Sequence, residues 1–268
     1  MSFNIFVCVK QVPDSDKVKI DPITGSLIRK SAPGVLNGDD RIALESALRI
    51  KDVYEDVRII AVTMGPDQAR EILLEAIGMG VDECIHINDS AVANSDTFAT
   101  SRVLAAAIVK WSETNEDYHL IITGREATDG DTAQVGPQLA ERLGIVQVTY
   151  VSDMTISDDL ITIDASRKLE GMHEHVEVNT PCLISVLKEH ITPRYAHMRN
   201  IFGEKNITTW TAEDLGLSSS EIGADGSPSK IINSFALKKA KGGIFVDGED
   251  GESQALNLLT MLKDKHII

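Results

Sequence analysis

The chain has 268 residues, of which 43% are hydrophobic and 25% are charged, and its formal net charge is −15. This composition is typical of a globular protein that can bury a sizeable core. The negative charge argues against a nucleic-acid partner, because a phosphate backbone requires a basic face. No apolar run comes near the roughly 20 residues that span a bilayer, so we expect no membrane insertion.

The first half of the chain alternates predicted strands with predicted helices. Apolar runs predict strands at residues 5–9, 57–64, 83–87 and 120–123. Apolar faces at helical spacing predict helices around residues 42–50, 69–77, 104–111 and 138–143. Asp39 or Asp40 is expected to cap the first helix, and Pro66 to open the second, which Gly78 and Gly80 end. This alternation predicts an α/β fold with a Rossmann-like, mostly parallel sheet and helices on both faces.

After Gly144 the pattern changes to strands without long helices between them. Strands are predicted at residues 146–151, 160–164, 176–178 and 182–186, and a turn at 157–159 predicts a small β-hairpin addition. The composition of residues 223–229 predicts a linker, and residues 253–266 predict an amphipathic helix. We therefore expect an α/β domain over 1–222, with a linker and C-terminal arm over 223–268. From the residues alone, a helix that folds back on its own domain is equally expected.

Three loops are expected to share one crevice, because ligands of parallel sheets bind at the carboxyl ends of the strands. They follow Val9, Met64 and Thr123. The third loop, residues 124–137, is rich in Gly and Asp and leads from a strand into a helix, where N–H groups and the helix dipole favour an anion. It predicts a nucleotide or a nucleotide-containing cofactor. The alternative is an Asp-rich capping turn without a ligand.

Three other residues near these strand ends each have a ligand-binding and a purely structural interpretation. Lys10 places a cation where a phosphate or a flavin ring would lie, or is a solvated lysine. Gly65 permits close approach of a ligand to the backbone, or belongs to a plain turn. Asn37 offers an amide to an adenine or ribose edge, whereas a neighbouring Asp caps the helix.

Several kinds of chemistry have no support in the sequence. The chain has no GxxxxGK[ST], no GxGxxG after the first strand and no GxSxG. Cys8, Cys84 and Cys182 have neither disulfide-framework nor metal spacing, so we expect free thiols, no metal site and a cytoplasmic protein. No general acid–base pair stands out. We therefore expect a protein that holds a cofactor and has no catalytic side chains of its own.

Four motifs together resemble the β subunit of electron-transfer flavoproteins over nearly the whole chain. They are Val9-Lys-Gln-Val-Pro-Asp14, Thr63-Met-Gly-Pro66, Asp129-Gly-Asp-Thr-Ala-Gln-Val-Gly136, and Thr192-Pro-Arg-Tyr-Ala196 with Asn200-Ile201. The resemblance implies an α-subunit partner that holds an FAD, onto which the C-terminal arm wraps. It also implies that the chain's own crevice holds AMP, as in simple carriers, or a second FAD, as in electron-bifurcating members.

The residues of the first and third motifs resemble those of the electron-bifurcating branch of this family. That resemblance implies NADH (NAD) as the electron donor, a low-potential acceptor such as ferredoxin, and a complex with an acyl-CoA dehydrogenase/reductase-type protein. Two alternatives stay open at this point. One is a simple β subunit that binds AMP structurally, and the other is an adenine-nucleotide-binding regulatory module without a redox role.

The loops and the resemblance together define two sets of candidate residues. The predicted cofactor-binding residues are Cys8, Val9, Lys10, Asn37, Gly38, Asp39, Asp40, Thr63, Met64, Gly65, Gly124, Arg125, Glu126, Ala127, Thr128, Asp129, Gly130, Asp131, Thr132, Ala133, Gln134 and Val135. The resemblance also implies a partner-recognition loop near residues 188–199, with Ile191 close to its tip. The predicted partner-recognition residues are Ile191, Pro193, Arg194 and Tyr195.

Overall fold

A computed structural model describes residues 2–14, 19–20, 27–28, 33–189, 191–230 and 242–268. The strands are β1 Phe3–Cys8, β2 Gln11–Pro13, β3 Lys19–Ile20, β4 Leu27–Ile28, β5 Gly34–Leu36, β6 Val57–Met64, β7 Glu83–Ile87, β8 Leu120–Gly124, β9 Val146–Ile156, β10 Thr162–Leu169, β11 Met172–Asn179, β12 Cys182–Val186 and β13 Ile207–Trp210. The helices are α1 Gly38–Val53, α2 Arg70–Met79, α3 Thr97–Thr114, α4 Val135–Leu143, α5 Met198–Phe202 and α6 Gly251–Asp264.

The main sheet is mostly parallel, as predicted. Within the described residues its strand order is β11-β10-β9-β12-β8-β1-β6-β7-β13. The strands from β9 through β12 and β8 to β13 pair in parallel, and β10 and β11 extend one end as antiparallel strands. β2 and β5 form a separate antiparallel pair, as do β3 and β4. The chain is therefore an α/β protein whose sheet carries an antiparallel addition.

The strand order reverses between β1 and β8. From β1 the chain runs through α1 to β6 and β7 on one side, and α3 then returns it to β8 on the other side of β1. Helices α1 and α2 bury their apolar faces in one core with Ile5 and Val7, and α3 and α4 in a second core with Phe6 and Ile121. The loops after β1 and β8 therefore diverge to opposite faces of the sheet. Such a switch point opens a crevice at the carboxyl ends of the strands.

The sequence located the buried strands well. β6, β7 and β12 have the predicted bounds, and β8 extends the predicted 120–123 by one residue. All six residues of β1 are buried, because helices cover both faces of the sheet and both side-chain sets must then be apolar. β9, β10 and β11 are longer than predicted, since their exposed faces are polar and only short apolar stretches mark them.

Two predictions about helix ends were wrong. The N-cap of α1 is Asn37, and Asp39 and Asp40 lie in its first turn, because the chain enters the helix earlier than the aspartates suggested. Gly78 lies inside α2 and does not end it. A Cβ atom on Gly78 would come within 2.9 Å of the Ala196 Cβ, so this glycine permits another segment to approach the helix.

The residues 223–229, whose composition predicts a linker, are bonded to the turn that precedes α3. The Gly223 N–H donates to Ser95 Oγ at 3.0 Å, and the Ser229 N–H donates to an Asp96 carboxylate oxygen at 2.9 Å. The Asp96 N–H donates to Ser227 Oγ at 2.8 Å. Contacts divide the chain into two compact units, Met1–Asn233 and Ser234–Ile268. The packed segment belongs to the first of them.

The second unit contains the predicted C-terminal helix as α6. Asp250 caps it, with reciprocal hydrogen bonds between the Asp250 carboxylate and the Ser253 N–H and between Ser253 Oγ and the Asp250 N–H. Such a capping box satisfies N–H groups that a helix start leaves unpaired. Among the helices that the structure describes, none has the length and apolar character needed to cross a membrane.

Candidate functional site

The candidate site lies where β1 and β8 end side by side. Cys8 pairs with Thr123 across these two strands and with Val62 of β6 on the other side. Cys8, Val9 and Thr123 are buried at the ends of these strands. Burial raises the pKa of the Cys8 thiol well above its ordinary range, so this side chain acts as a small apolar group and not as a nucleophile.

Asp40 connects the two diverging loops to the start of α1. Its carboxylate accepts a hydrogen bond from the Lys10 N–H at 2.8 Å and another from the Gly124 N–H. A Cβ atom on Gly124 would lie 2.5 Å from an Asp40 carboxylate oxygen, so only glycine fits there. Burial raises the pKa of Asp40 to about 7, although hydrogen bonds from the Lys10 N–H, the Asn37 side chain and the Gly124 N–H favour its charged form. Asp40 is therefore a structural tie between β1, β8 and α1.

Asn37 makes a second connection within the same crevice. Its side chain is fully buried, and its amide nitrogen donates to the Glu126 carbonyl at 2.9 Å. Its amide oxygen accepts from the Thr128 N–H at 3.4 Å. Both amide atoms therefore hold the loop after β8. This arrangement gives Asn37 a scaffolding role in the crevice.

The loop between β8 and α4 combines uncommon backbone conformations with the start of a helix. Asp131 and Ala133 adopt left-handed conformations, with φ of 46° and 54°. Residues other than glycine adopt this conformation only at a cost in free energy, and strain of this kind clusters at ligand sites. The loop then enters α4, whose first N–H groups have no intrahelical acceptor. A Cβ atom on Gly136 would lie 2.9 Å from Thr123 Oγ1, so this glycine seats α4 directly on the end of β8.

Three cations surround the crevice. Lys10 pairs with Asp129 at 2.8 Å, which joins the loop after β1 to the loop after β8. Arg125 pairs with Glu126 and lies 3.9 Å from Asp39. Lys188 follows β12 and comes close to Gly38, and its charge, like that of Arg125, opposes the rise that burial causes in the pKa of Asp39. These cations would offset the charge of a bound phosphate or a reduced flavin.

The loop after β6 completes the edge. Gln11 donates to the Gln68 carbonyl at 2.8 Å, which joins the segments that follow β1 and β6. Among the described residues, the hydroxyls of Thr63 and Thr123 are buried without a hydrogen-bond partner, and each lies one residue before the end of its strand, β6 or β8. A Cβ atom on Gly65 would approach Ala69 within 2.8 Å, so Gly65 serves the tight turn. Buried polar atoms that lack a partner are typical of a binding site.

Comparison with known proteins identifies the family. Residues 24–215 match the family model of the electron transfer flavoprotein domain. The chain is 42% identical over 267 residues to the electron transfer flavoprotein subunit beta of Clostridium acetobutylicum, covering 99% of this chain and 100% of that protein. The chain belongs to the electron transfer flavoprotein β-subunit family.

Two further relatives are parts of named reductase systems. The chain is 44% identical over 266 residues to subunit CarD of the caffeyl-CoA reductase-Etf complex of Acetobacterium woodii, which covers 98% of this chain and 99% of that subunit. It is 41% identical over 272 residues to the acryloyl-CoA reductase electron transfer subunit gamma of Anaerotignum propionicum, which covers 98% and 99%. The resemblance seen in the sequence motifs is confirmed at the level of the family.

The predicted cofactor residues fall into two groups in this family member. The first group is at least partly exposed and comprises Lys10, Gly38, Asp39, Met64, Gly65 and every residue from Arg125 to Val135. Cys8, Val9, Asn37, Asp40, Thr63 and Gly124 are buried beneath them. The first group is accessible to a ligand, and within the second group Asn37 and Asp40 hold the loops together.

The partner-recognition residues also divide into an outer and an inner group. Tyr195 is 96% exposed, whereas Ile191 packs against the core that α1 and α2 share. Arg194 donates from its backbone and its guanidinium to Glu45, and from its guanidinium to Asp52. Sequence reasoning missed Glu45 and Asp52, and it assigned Lys188 to the partner-recognition loop, whereas Lys188 lies beside Gly38. For Glu45 the signal was an acidic residue in the middle of the apolar stretch of α1.

Proposed function

We propose that the chain holds an FAD in this crevice, takes electrons from NADH, and passes them to an α-subunit FAD and to a low-potential acceptor such as ferredoxin. The observation that carries the proposal is the strained, left-handed loop at the β1/β8 switch point, which leads into the start of α4. Successive backbone N–H groups that point to one place beside a helix start would suit the diphosphate of an FAD. A bound flavin would supply the one- and two-electron chemistry.

The residues of the chain would bind, orient and tune that cofactor. N–H groups from Thr132 to Val135 would hold the diphosphate, and Asn37 and Asp40 would keep the loops from moving apart. Lys10 and Arg125 would lie near the ring, where a cation favours the reduced, anionic form. The exposed position of Lys10, at 50%, keeps its charge available to a ligand despite its pairing with Asp129.

The expected partners follow from the relatives. Both the caffeyl-CoA reductase-Etf complex and the acryloyl-CoA reductase system contain a protein at least 41% identical to this chain. We therefore propose a complex with an α subunit and an acyl-CoA dehydrogenase/reductase-type protein, docked through the segment around Tyr195. The three buried, free cysteines support action in the reducing cytoplasm.

Counting cofactors tests the proposal. The chain, co-produced with its α subunit, is denatured with acid, and FAD and AMP are measured by chromatography against protein. We expect two FAD per heterodimer and no AMP. One FAD with one AMP would overturn the bifurcating assignment and support a simple carrier. Stable isolation of the chain alone with ATP or AMP and no flavin would instead support a regulatory module.

A matched pair of lysine variants tests the tuning role. Lys10→Gln removes a cation paired with Asp129 at 2.8 Å, and Lys168→Gln removes one paired with Glu189 at 2.7 Å and similarly exposed, but on the antiparallel strands. Lys10→Gln should lower the reduction potential of the β-subunit flavin and slow its reduction by NADH. Lys168→Gln should change neither. Equal potentials in the two variants would show that Lys10 does not act on the ring.

A further inference from the structure

The segment proposed to dock the reductase is attached to the body of the protein at several points. Residues 191–197 have no regular secondary structure, and Ile191 at their start packs against the core of α1 and α2. At their end the His197 N–H and the Asn200 side-chain amide both donate to the Gly78 carbonyl of α2, at 2.8 and 3.2 Å. The absence of a side chain on Gly78 lets Ala196 lie against the helix. Arg194 stands between these two attachment points.

Arg194 makes the densest set of contacts in the segment. Its backbone N–H and Nε donate to one Glu45 carboxylate oxygen at 3.0 and 2.8 Å, and Nη2 donates to the other at 3.2 Å. Its Nη1 and Nη2 donate to the two oxygens of Asp52 at 3.1 and 2.6 Å. The guanidinium therefore forms fork-shaped, two-bond contacts with two carboxylates of α1. Such bidentate pairs fix geometry as well as charge.

Glu45 is an unusual partner, because its side chain is only 6% exposed. Burial alone would raise its pKa, but the hydrogen bonds from Arg194 hold the pKa of Glu45 below its ordinary value. A buried charge of this kind requires a cation whose position is fixed. The remaining pair, with Arg49 one helical turn away, has a single contact at 3.2 Å to a half-exposed side chain. Arg194 is therefore the main counter-charge of Glu45.

The result of this anchoring is an outward-facing apolar surface. Tyr195, Met198 and Phe202 are 96%, 63% and 79% exposed, directly after the anchored arginine. Helix α1, which carries the anchor, begins at the crevice with Asn37 and Asp40. The anchor lies eight residues along the helix from Asn37, or about 12 Å at the rise of an α-helix. One rigid helix therefore sets the distance between the cofactor crevice and this surface.

We propose that Arg194 is a positioning residue that holds the docking segment on α1, so that Tyr195, Met198 and Phe202 meet the reductase at a fixed distance from the crevice. The inference rests on the proposed function in one respect, namely that this segment docks the reductase. Arg194 itself faces inward and makes its contacts with Glu45 and Asp52. Its effect on docking is exerted through the segment.

The first test measures the segment without a partner. In the heterodimer, Arg194→Gln should raise amide hydrogen exchange of residues 195–202 at least about ten-fold, because the loss of the clamp frees the segment to open. Because Arg194→Gln also leaves Glu45 with Arg49 as its remaining cation and can unfold the protein, the double variant Arg194→Gln with Glu45→Gln removes both charges. It should recover thermal stability but keep the fast exchange. Arg49→Gln, which removes the other cation beside Glu45, should exchange like the wild type. Slow exchange in the double variant would overturn the proposal.

The second test measures docking, with the caffeyl-CoA reductase of the Acetobacterium woodii complex as the probe. Both Arg194 variants should raise the KM for this reductase at least about ten-fold, since a mobile segment must be ordered on binding, while kcat and flavin content change less than about two-fold. Tyr195→Ser changes a side chain that is 96% exposed, and it tests the docking surface independently of Arg194. If Tyr195→Ser raises KM and the Arg194 variants do not, the positioning role of Arg194 is wrong, but the segment still docks the reductase. If none of them changes KM, the docking function of the segment is itself refuted.

Discussion

Gly124→Ala is the most direct test of how the crevice is built. The new Cβ atom would lie 2.5 Å from an Asp40 carboxylate oxygen, 2.7 Å from the Asp39 carbonyl carbon and 2.8 Å from the Asp39 Cβ. Ordinary contacts need about 3.4 Å or more, so the start of α1 must retreat by roughly 0.7–0.9 Å. Overpacking of this kind costs about 1–3 kcal/mol, and weakening the bond from Lys10 to Asp40 adds about 1 kcal/mol. We expect a total loss of about 2–4 kcal/mol.

Thermal unfolding of the heterodimer and its cofactor content measure this effect. At roughly 2–4 °C per kcal/mol for a chain of this size, Gly124→Ala should lower Tm by about 4–16 °C. It should also weaken cofactor retention at least about ten-fold, because the same movement separates the loops after β1 and β8. Gly130→Ala is the matched control in the same loop, with no atom within 4 Å of the added Cβ. Gly130→Ala should change stability by about 0.5 kcal/mol or less. Equal Tm and cofactor content in the two variants would refute the reasoning.

Three further predictions concern the rest of the fold. Trp111→Phe removes a 3.1 Å hydrogen bond to a Glu83 carboxylate from a ring that is 2% exposed, and should cost about 1–3 kcal/mol in denaturant unfolding; an unchanged midpoint would contradict this. His119 accepts the Asn4 N–H through Nδ1, and burial lowers the pKa of His119, so its contribution to stability is complete above its ordinary pKa and is lost as the pH falls through the folded value. His119→Gln, which keeps an acceptor, should flatten the fall in Tm between about pH 7.5 and 5.5, and an unchanged slope would speak against this role. Burial raises the pKa of all three cysteine thiols, so a thiol reagent near pH 8 should label them only as the protein unfolds, and rapid labelling of the folded heterodimer would disprove it.

The buried parallel strands could be predicted because their signal is local. A strand covered on both faces must be apolar at every position, and β6, β7 and β12 are such runs between turn residues. The alternation of strands and helices then implied a parallel sheet and a crevice at its carboxyl edge. Three of the four family motifs lie in the loops of that edge, and each is a short run of consecutive residues, so the sequence alone pointed to the family.

The roles of the polar side chains near the crevice were harder to predict. Asp39 and Asp40 were expected to cap α1, and Asn37 to offer its amide to a ligand. In the structure Asp40 holds Lys10 and Gly124, and Asn37 holds the loop after β8. Each of these contacts joins residues at least 30 positions apart in the chain. A capping signal involves only the nearest few residues, so it does not predict contacts between distant parts of the chain.

The sequence by itself therefore determined the class of fold, the edge of the sheet that carries the site and the family. Each follows from apolar periodicity or from short motifs within one loop. The tertiary structure decided the strand order that places β1 beside β8, the buried roles of Asn37 and Asp40, and the clamp of Arg194 on Glu45 across 149 positions of the chain. These features depend on which distant residues come into contact when the helices pack on the two faces of the sheet. Hydrogen bonds and ion pairs are stronger where that packing buries them.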